Sequence, residues 1–212
     1  MNLRTENYTH QQTEIPQEGS HILTQQIEEY LVVYQAYNPL IAEYAVKHQT
    51  FGGNHYSYER MSWIKPNFLW MMYRCGWCEK VNQERTLAIW IKQKDFDLIL
   101  SEAVHSSFQE DIYKTHANWK ETLNTSEVRL QWDPDHDPFG AKEERRAIQL
   151  GIKGELLKQF GKQMIHKIED ITDFVKEQKK RLDTEGIDKL IVPVERVYKP
   201  MNIEILERIG LS

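Results

Sequence analysis

The chain has 212 residues, of which 40% are hydrophobic and 28% charged, with ten glycines and seven prolines. This balance predicts a folded domain and excludes a disordered tail, a collagen-like repeat and a coiled coil. The net charge of −5 excludes attraction of the whole surface to nucleic acid, although it leaves room for a local basic groove. No apolar run reaches the roughly 18 residues that span a bilayer. Because the N-terminus also has no export pattern, we expect a cytoplasmic protein without a membrane segment.

The periodicity of apolar and aromatic residues divides the chain into helices and strands. In chain order we predict a strand at residues 31–37, helices at 39–48 and 67–74, a strand at 87–91, a helix at 95–105, a strand at 128–132, a loop at 133–140, a helical period at 154–182, a strand at 189–192 and a helix at 203–209. Residues 146–152 are compatible with a strand or a helix. Because the strands lie far apart in sequence, the pattern predicts the α+β class, with a mixed or antiparallel sheet and packed helices.

The first residues are polar and end in a proline, a glycine and a serine. They predict a flexible lead-in over residues 1–21, because terminal segments without an apolar face are poorly held. The remaining residues, 22–212, are then expected to form a single globular domain.

Cys75 and Cys78 have the spacing of a redox or metal-binding pair. They follow a predicted helix, however, so the helix dipole has the wrong sign to stabilise a thiolate. The chain has no further cysteine with which to complete a four-ligand zinc site. We therefore expect two reduced cysteines near a helix end, and no metal site.

The segment from Asp133 to Gly140 combines aspartates, two prolines and His136. An EF-hand is excluded because Pro138 occupies the position that needs a positive φ. Two interpretations stay open. One is a proline-stiffened turn whose aspartates cap backbone amides. The other is a polar cluster in which Asp135 and its neighbouring carboxylate favour the imidazolium of His136, so that this histidine transfers protons.

The segment from Arg60 to Arg74 interleaves cations with aromatic rings. Arg60, Lys65 and Arg74, together with Trp63 and Tyr73, are suited to holding phosphate and stacking a base, which indicates a nucleotide or a nucleic-acid single strand. An alternative interpretation is equally open: Trp70, Tyr73 and Trp77 have the spacing at which a helix buries one face.

Three segments together resemble the domain of unknown function 4291 family. They are Val33–Ala42, then Arg60–Arg74 with Gly76-Trp77 and Gln83-Glu84-Arg85, and then Gln131–His136 with Arg145–Gly151. The resemblance covers the chain from about residue 27 to the C-terminus. The family implies no established activity.

The order of elements is also similar to that of the ADP-ribosyltransferase fold. This similarity implies that Glu195, after a late strand, orients or activates the acceptor. It also implies that Tyr34, Gln35 and Tyr73 lie near the nicotinamide of NAD. The similarity concerns the order of elements alone, and a fold does not fix a function.

These observations favour an intracellular enzyme that acts on a nucleotide-type ligand, with NAD as the candidate cofactor. His136 and Glu195 are the predicted catalytic residues. The predicted ligand-binding residues are Tyr34, Gln35, Arg60, Lys65, Tyr73, Arg74, Asp135 and Arg146. The alternative is a non-enzymatic RNA- or protein-binding module. An enzyme is expected to gather Arg60, His136 and Glu195 into one pocket, whereas a docking module spreads such groups over an open face.

Overall fold

The computed structural model describes residues 3–211. Over this range the chain forms thirteen β-strands and nine α-helices. The strands are β1 (Thr5–Asn7), β2 (Gly19–Ser20), β3 (Ile22–Thr24), β4 (Gln26–Ile27), β5 (Tyr30–Tyr37), β6 (Ser62–Ile64), β7 (Arg85–Lys92), β8 (Ala103–His105), β9 (Val128–His136), β10 (Lys142–Ile152), β11 (Ile165–Asp170), β12 (Ile191–Pro193) and β13 (Arg196–Tyr198). The helices are α1 (Tyr8–Glu14), α2 (Pro39–His48), α3 (Phe68–Cys75), α4 (Gln93–Ser101), α5 (Glu110–Tyr113), α6 (His116–Thr125), α7 (Gly154–Gln159), α8 (Thr172–Glu185) and α9 (Ile203–Ile209). A π-helical turn at Phe160–Met164 follows α7, and a 3-10 turn at Ile187–Lys189 precedes β12.

The strands predicted at residues 31–37 and 87–91 are β5 and β7, which pair over their whole length in a four-stranded antiparallel sheet. The strand order in this sheet is β11-β7-β5-β4. The sequences of β5 and β7 are nearly continuous apolar runs because both faces of the sheet are covered. Leu31 and Val33 enter one hydrophobic core, and Val32 and Tyr34 on the opposite face enter a second core. The sheet is therefore the middle layer of the domain.

A second, five-stranded sheet is mixed, with order β2-β10-β9-β8 and with β6 also paired to β10. The long strands β9 and β10 form an antiparallel hairpin, whereas β2 and β8 pair in parallel with them. Ile148 and Leu150 of β10 face the first core. Gln149 lies between them and directly opposite Gln131 of β9, so the two glutamines share the other face of the sheet. Two short antiparallel pairs, β1–β12 and β3–β13, complete the pairing of the described residues.

Helix α3 packs on the four-stranded sheet and supplies much of the second core. It begins after Asn67, whose side chain accepts a hydrogen bond from the backbone N–H of Trp70 at 2.6 Å. It ends at Gly76, which adopts a left-handed conformation (φ +58°). Because six of its eight residues are buried, α3 is fixed firmly against the sheet.

Several sequence predictions are confirmed, including the α+β class and the single domain. The strand at residues 31–37 and the helices at 39–48, 67–74 and 203–209 are found as β5, α2, α3 and α9. Asn38 caps α2 by accepting a hydrogen bond from Ile41 N at 3.1 Å, and Gly210 ends α9 with φ +76°. Residues 146–152, which the sequence left open, belong to strand β10. Within residues 3–211 no helix has the length and apolar composition needed to cross a membrane.

Two predicted boundaries were wrong. The expected loop at 133–140 is a strand as far as His136, because residues 132–134 pair with β10. The turn is limited to residues 137–140, where Asp137 Oδ1 accepts from the N–H groups of Phe139 and Ala141. The helix predicted at 95–105 ends at Ser101, because the next residues form β8 and pair with β9. In both places the pairing partner is distant in sequence.

The helical period predicted for residues 154–182 was also wrong in its middle part. Helix α7 ends at Gln159, a π-helical turn follows, and residues 165–170 form strand β11 before α8 begins. Ile168 fits the helical period, but it lies opposite Ile89 in the sheet. Pairing with the buried strand β7 overrides the local periodicity.

Residues 3–20 differ from the predicted flexible lead-in. Strand β1 pairs with β12, and Tyr8 and Gln11 of α1 are buried. The backbone N–H of Tyr8 donates to Leu190 O at 2.9 Å. The segment is held by residues near the other end of the chain, which its polar composition does not reveal.

Candidate functional site

A cavity of about 820 Å³ opens between the end of β5, residues 55–65, α3 and the β9–β10 hairpin. Three cations line it, Arg60, Lys65 and Arg74, and no aspartate or glutamate of the described chain is among its lining residues. We call this cavity the cationic cleft. A cleft lined by one sign of charge concentrates ligands of the opposite sign. The site is therefore suited to an anion.

Lys65 lies at the base of the cationic cleft. Its backbone is fixed to β5, because its N–H and C=O both bond to Tyr34, at 3.1 and 2.7 Å. The residue is 5% exposed, and within residues 3–211 its ammonium group has neither a hydrogen bond nor an ion pair. Burial, with a smaller contribution from Arg74, lowers the pKa of Lys65 to about 8 against the opposite effects of Cys75 and Asp133. This desolvated ammonium would gain a partner from a bound anion.

Arg60 and Arg74 are exposed residues in the wall of the cationic cleft. Arg74 is in the last turn of α3, where its carbonyl oxygen accepts from Lys80 Nζ at 2.8 Å. Neither guanidinium group forms an ion pair with another described residue. Each guanidinium group is thus free to bind two oxygens of a phosphate at once.

Amide side chains supply hydrogen-bonding groups beside the cations. Gln35 is 2% exposed, and its Nε2 donates to Ser62 Oγ at 2.8 Å and to Trp63 O at 3.1 Å. Its Oε1 is buried and has no partner among residues 3–211. Gln149 Nε2 donates to Gln131 Oε1 and to Asp133 Oδ2, both at 2.7 Å. Gln35, whose carbonyl oxygen has no partner, therefore lines the same cleft as the three cations.

Sequence reasoning missed several polar residues that line the cationic cleft. They are Asn38, His55, Asn82, Gln83, Gln131 and Gln149. The glutamines on β9 and β10 meet only through the register of the hairpin. The segments of the family resemblance include Asn38, Gln83, Gln131 and Gln149, but the resemblance assigned no role to them.

The tryptophans divide between core and cleft. Trp70 and Trp77 are buried, with 4% and 8% exposure, as the helical spacing predicted. Trp63 is half-buried and lines the cationic cleft. Its ring lies over Gly151, where a Cβ atom would be only 2.8 Å from Trp63 Cε2. Trp70 and Trp77 therefore fit the interpretation of a buried helix face, and Trp63 lies in the lining of the cleft.

Asp135 and His136 lie in a buried cluster outside the lining of the cationic cleft. Asp135 Oδ2 accepts from Arg145 Nε at 2.8 Å in a fully buried ion pair, and Arg145 also donates to Pro16 O. His136 stacks on Tyr73, with 3.5 Å between ring centroids. The neighbouring carboxylates raise the pKa of His136, as the sequence argument expected, but burial has the larger effect and lowers it.

Glu195 lies at the N-terminal end of α3. Its Oε1 accepts from the backbone N–H of Phe68 at 2.7 Å, and its Oε2 accepts from Asn67 Nδ2 at 3.2 Å. It is 2% exposed, and burial raises its pKa well above the usual range of a glutamate. These contacts make Glu195 a capping group for the helix.

The structure separates the predicted site residues into three places. Gln35, Arg60, Lys65 and Arg74 line the cationic cleft, Arg146 lines a second cavity, and Tyr34, Tyr73, Asp135, His136 and Glu195 line neither. Tyr34 is buried in the second core, and its hydroxyl has no partner among residues 3–211. Arg60 therefore does not share a pocket with His136 and Glu195.

The second cavity has a volume of about 1270 Å³ and lies where β9 continues beyond its pairing with β8. His105, at the end of β8, hydrogen-bonds through Nδ1 to the hydroxyl of Tyr113 at 3.1 Å. Trp132 donates from Nε1 to Ile209 O at 2.8 Å. Gln131 lines both cavities, so the two are neighbours.

The fold and the site define a single α+β domain with a cationic cleft beside its two sheets. The chain belongs to the family described as domain of unknown function DUF4291, whose sequence model matches residues 21–198. This confirms the resemblance carried by the segments around Arg60 and His136. A comparison with curated proteins finds no match. The matched range includes every residue that lines the cationic cleft.

Proposed function

We propose that this protein binds a nucleotide-type ligand whose phosphate groups lie in the cationic cleft. The observation that supports this proposal is Lys65, a residue in the cleft lining that is 5% exposed and whose ammonium group has no partner within residues 3–211. A buried charge without a partner is costly. A phosphate would neutralise it and would also contact the guanidinium groups of Arg60 and Arg74.

Neighbouring groups favour a nucleotide over inorganic phosphate. A nucleotide adds a base with N–H groups and an aromatic face to the phosphate, and Gln35, whose Oε1 has no partner among residues 3–211, lines the same cleft. The half-buried ring of Trp63 offers a surface on which a base can stack. Ligand pockets typically combine such a ring with a few placed polar groups.

A narrower form of the proposal is an enzyme that acts on NAD, as the order of elements in the ADP-ribosyltransferase fold implied. In this form Lys65 supplies a titratable group in the cleft, since its pKa of about 8 lets it hold or release a proton near neutral pH. His136 and Glu195 would act on the reaction only after a rearrangement, because neither lines the cleft.

We propose the cytoplasm as the compartment of this protein. Cys75 and Cys78 are free thiols, and both are buried. Their sulfur atoms share a contact to the hydroxyl of Thr86, at 3.8 and 3.0 Å. Adjacent thiols that stay reduced are typical of a reducing compartment.

The proposal can be tested by calorimetric titration and thermal shift with NAD, ATP, inorganic phosphate and a short RNA. We expect NAD or ATP to bind more tightly than phosphate and to raise the melting temperature. Lys65→Met should weaken nucleotide binding about 10- to 100-fold, because a hydrogen bond to a charged group contributes about 1.5–3 kcal/mol. Affinity should also fall as pH rises above about 8, where the ammonium loses its proton.

Lys94→Met is the matched control, because Lys94 is exposed and lines neither cavity. Its affinity for nucleotide should equal that of the unmodified protein. The proposal is contradicted if no nucleotide binds, or if Lys65→Met binds nucleotide normally. Binding of RNA without any binding of mononucleotide would favour the non-enzymatic RNA-binding module instead.

A further inference from the structure

The cationic cleft and the second cavity share a lining residue that belongs to one hydrogen-bonded group of side chains. Gln131 lines both cavities, and its Oε1 accepts from Gln149 Nε2 at 2.7 Å. Gln149 lines the cleft, and its second acceptor, Asp133, lines the second cavity. A ligand in the cleft that extends across Gln131 therefore enters the second cavity.

The charges of the second cavity differ from those of the cleft. Two arginines, Arg146 and Arg208, are accompanied by four carboxylates, those of Asp111, Asp133, Glu204 and Glu207. Such a lining disfavours a second phosphate, because like charges repel. It favours a group that carries both hydrogen-bond donors and acceptors without a net charge.

A nucleoside has these properties. Its ribose hydroxyls and exocyclic amines can donate to carboxylates, and its base offers an aromatic face. Trp132 is half-buried in the lining, and Ser106 and Ser107 add hydroxyl groups. His105 is neutral in this setting, because burial lowers its pKa, so it accepts or donates a hydrogen bond without adding charge.

We infer that the ligand is a dinucleotide that lies across Gln131. Its phosphates bind Lys65, Arg60 and Arg74 in the cationic cleft, and one of its nucleosides lies against Trp132 in the second cavity. This inference rests on the proposed function, since it extends the ligand of the same cleft. It adds Arg146 and Ser107 to the residues that determine which nucleotides bind.

The test compares NAD with AMP, which is one of its halves, on the full-length protein by calorimetric titration. NAD should bind at least about tenfold more tightly than AMP, because two linked groups bind with a high effective concentration. Ser107→Trp places a large ring in the second cavity from an exposed position. It should bring the affinity for NAD to within about threefold of that for AMP and leave the affinity for AMP unchanged.

Thr184→Trp is the matched control, since Thr184 is exposed and lines neither cavity. Arg146→Ala is a second variant that adds no bulk, and it should weaken NAD binding while AMP binding stays the same. The inference is overturned if AMP and NAD bind equally well. It is also overturned if both Ser107→Trp and Arg146→Ala still bind NAD more tightly than AMP by the same factor as the unmodified protein. Failure of both ligands to bind would instead contradict the proposed function of the cleft itself.

Discussion

Glu195 accepts a hydrogen bond from the first backbone N–H of α3: its Oε1 lies 2.7 Å from Phe68 N, and the two residues are 127 positions apart in sequence. The same carboxyl group accepts from Asn67 Nδ2, and Asn67 in turn caps Trp70 N. An acceptor at this end of a helix satisfies an N–H that has no partner within the helix. The residue predicted to be catalytic thus positions the helix that carries Arg74 to the cleft.

Glu195→Ala is predicted to destabilise the protein strongly. It leaves the N–H of Phe68 and the amide of Asn67 buried without this acceptor, and each unsatisfied donor costs about 1–3 kcal/mol. Glu195→Gln keeps a carbonyl oxygen for Phe68 and should lose less. Urea unfolding of the two variants measures the difference. If both variants are as stable as the unmodified protein, Glu195 does not cap α3.

The pH dependence of Glu195 gives a second prediction. Because its pKa is raised in the folded state, the folded protein keeps this proton to higher pH than the unfolded chain, in which glutamates titrate near about 4.3. The resulting stabilisation is fully present below about pH 4 and is lost as pH rises toward the folded pKa. The free energy of unfolding should therefore fall relative to that of Glu195→Gln between about pH 4 and 7. A difference that is constant with pH would contradict a raised pKa.

Lys65 is predicted to lower the stability of the protein at neutral pH. A fall of its pKa from 10.5 to about 8 corresponds to a cost of about 3 kcal/mol for the folded ammonium form. Lys65→Met should therefore raise the free energy of unfolding at pH 7. Between about pH 8 and 10.5 the unfolded chain binds more protons than the folded protein, so the unmodified protein gains stability as pH rises. The difference in free energy of unfolding between Lys65→Met and the unmodified protein should therefore decrease.

Urea unfolding of Lys65→Met at pH 7 and pH 10 checks this prediction. Lys94→Met provides the baseline for replacing an exposed lysine. A variant that is less stable than the unmodified protein at pH 7 would show that the Lys65 ammonium is already paired in the folded state. The expected outcome would show that Lys65 lowers the stability of the unliganded protein, as a residue does when its charge is placed to bind a ligand.

Local signals in the sequence were sufficient for part of the fold. The caps Asn38 and Gly210 bracket helices correctly because capping depends on neighbours within one turn. Strand β5 was found because its run of β-branched and aromatic residues has no competing helical period. Ile168 was misassigned because its strand depends on β7, which is far away in sequence. Periodicity alone does not show such pairing.

The three cations of the cationic cleft and Gln35 were predictable from the sequence, but Gln131 and Gln149 were not. Arg60, Lys65 and Arg74 are close in sequence and stood out by their aromatic neighbours. Gln131 and Gln149 meet across a hairpin whose register no local pattern fixes. His136 and Glu195 were chosen for their chemistry, but burial and helix capping determine where they lie.

The buried ion pair between Asp135 and Arg145 gives a further prediction. Asp135→Asn leaves the guanidinium group buried without a counter-charge and should cost about 3–5 kcal/mol. Adding Arg145→Met removes that charge, so the double variant should be more stable than Asp135→Asn alone. Urea unfolding of the two single variants and the double variant measures the coupling. Additive losses would show that the two groups do not compensate each other.

Gly151 is predicted to control the position of Trp63 in the cleft. A Cβ atom at this residue would lie 2.6 Å from Met61 Sδ and 2.8 Å from Trp63 Cε2, both closer than atoms can pack. Gly151→Ala should therefore displace the Trp63 ring, destabilise the protein by about 1–3 kcal/mol and weaken nucleotide binding. Gly186→Ala is a useful control, because that glycine has a positive φ but no atom within 4 Å of the added Cβ.

The control variant should lose stability through backbone strain alone, by about 1 kcal/mol, and bind nucleotide normally. Calorimetric titration of both variants with ATP, at a temperature where each is folded, separates the two effects. If Gly151→Ala binds ATP as well as Gly186→Ala does, the Trp63 ring does not contact the ligand. Weaker binding in Gly151→Ala alone would show that the ring is part of the site, because both variants carry the same added methyl group on a glycine.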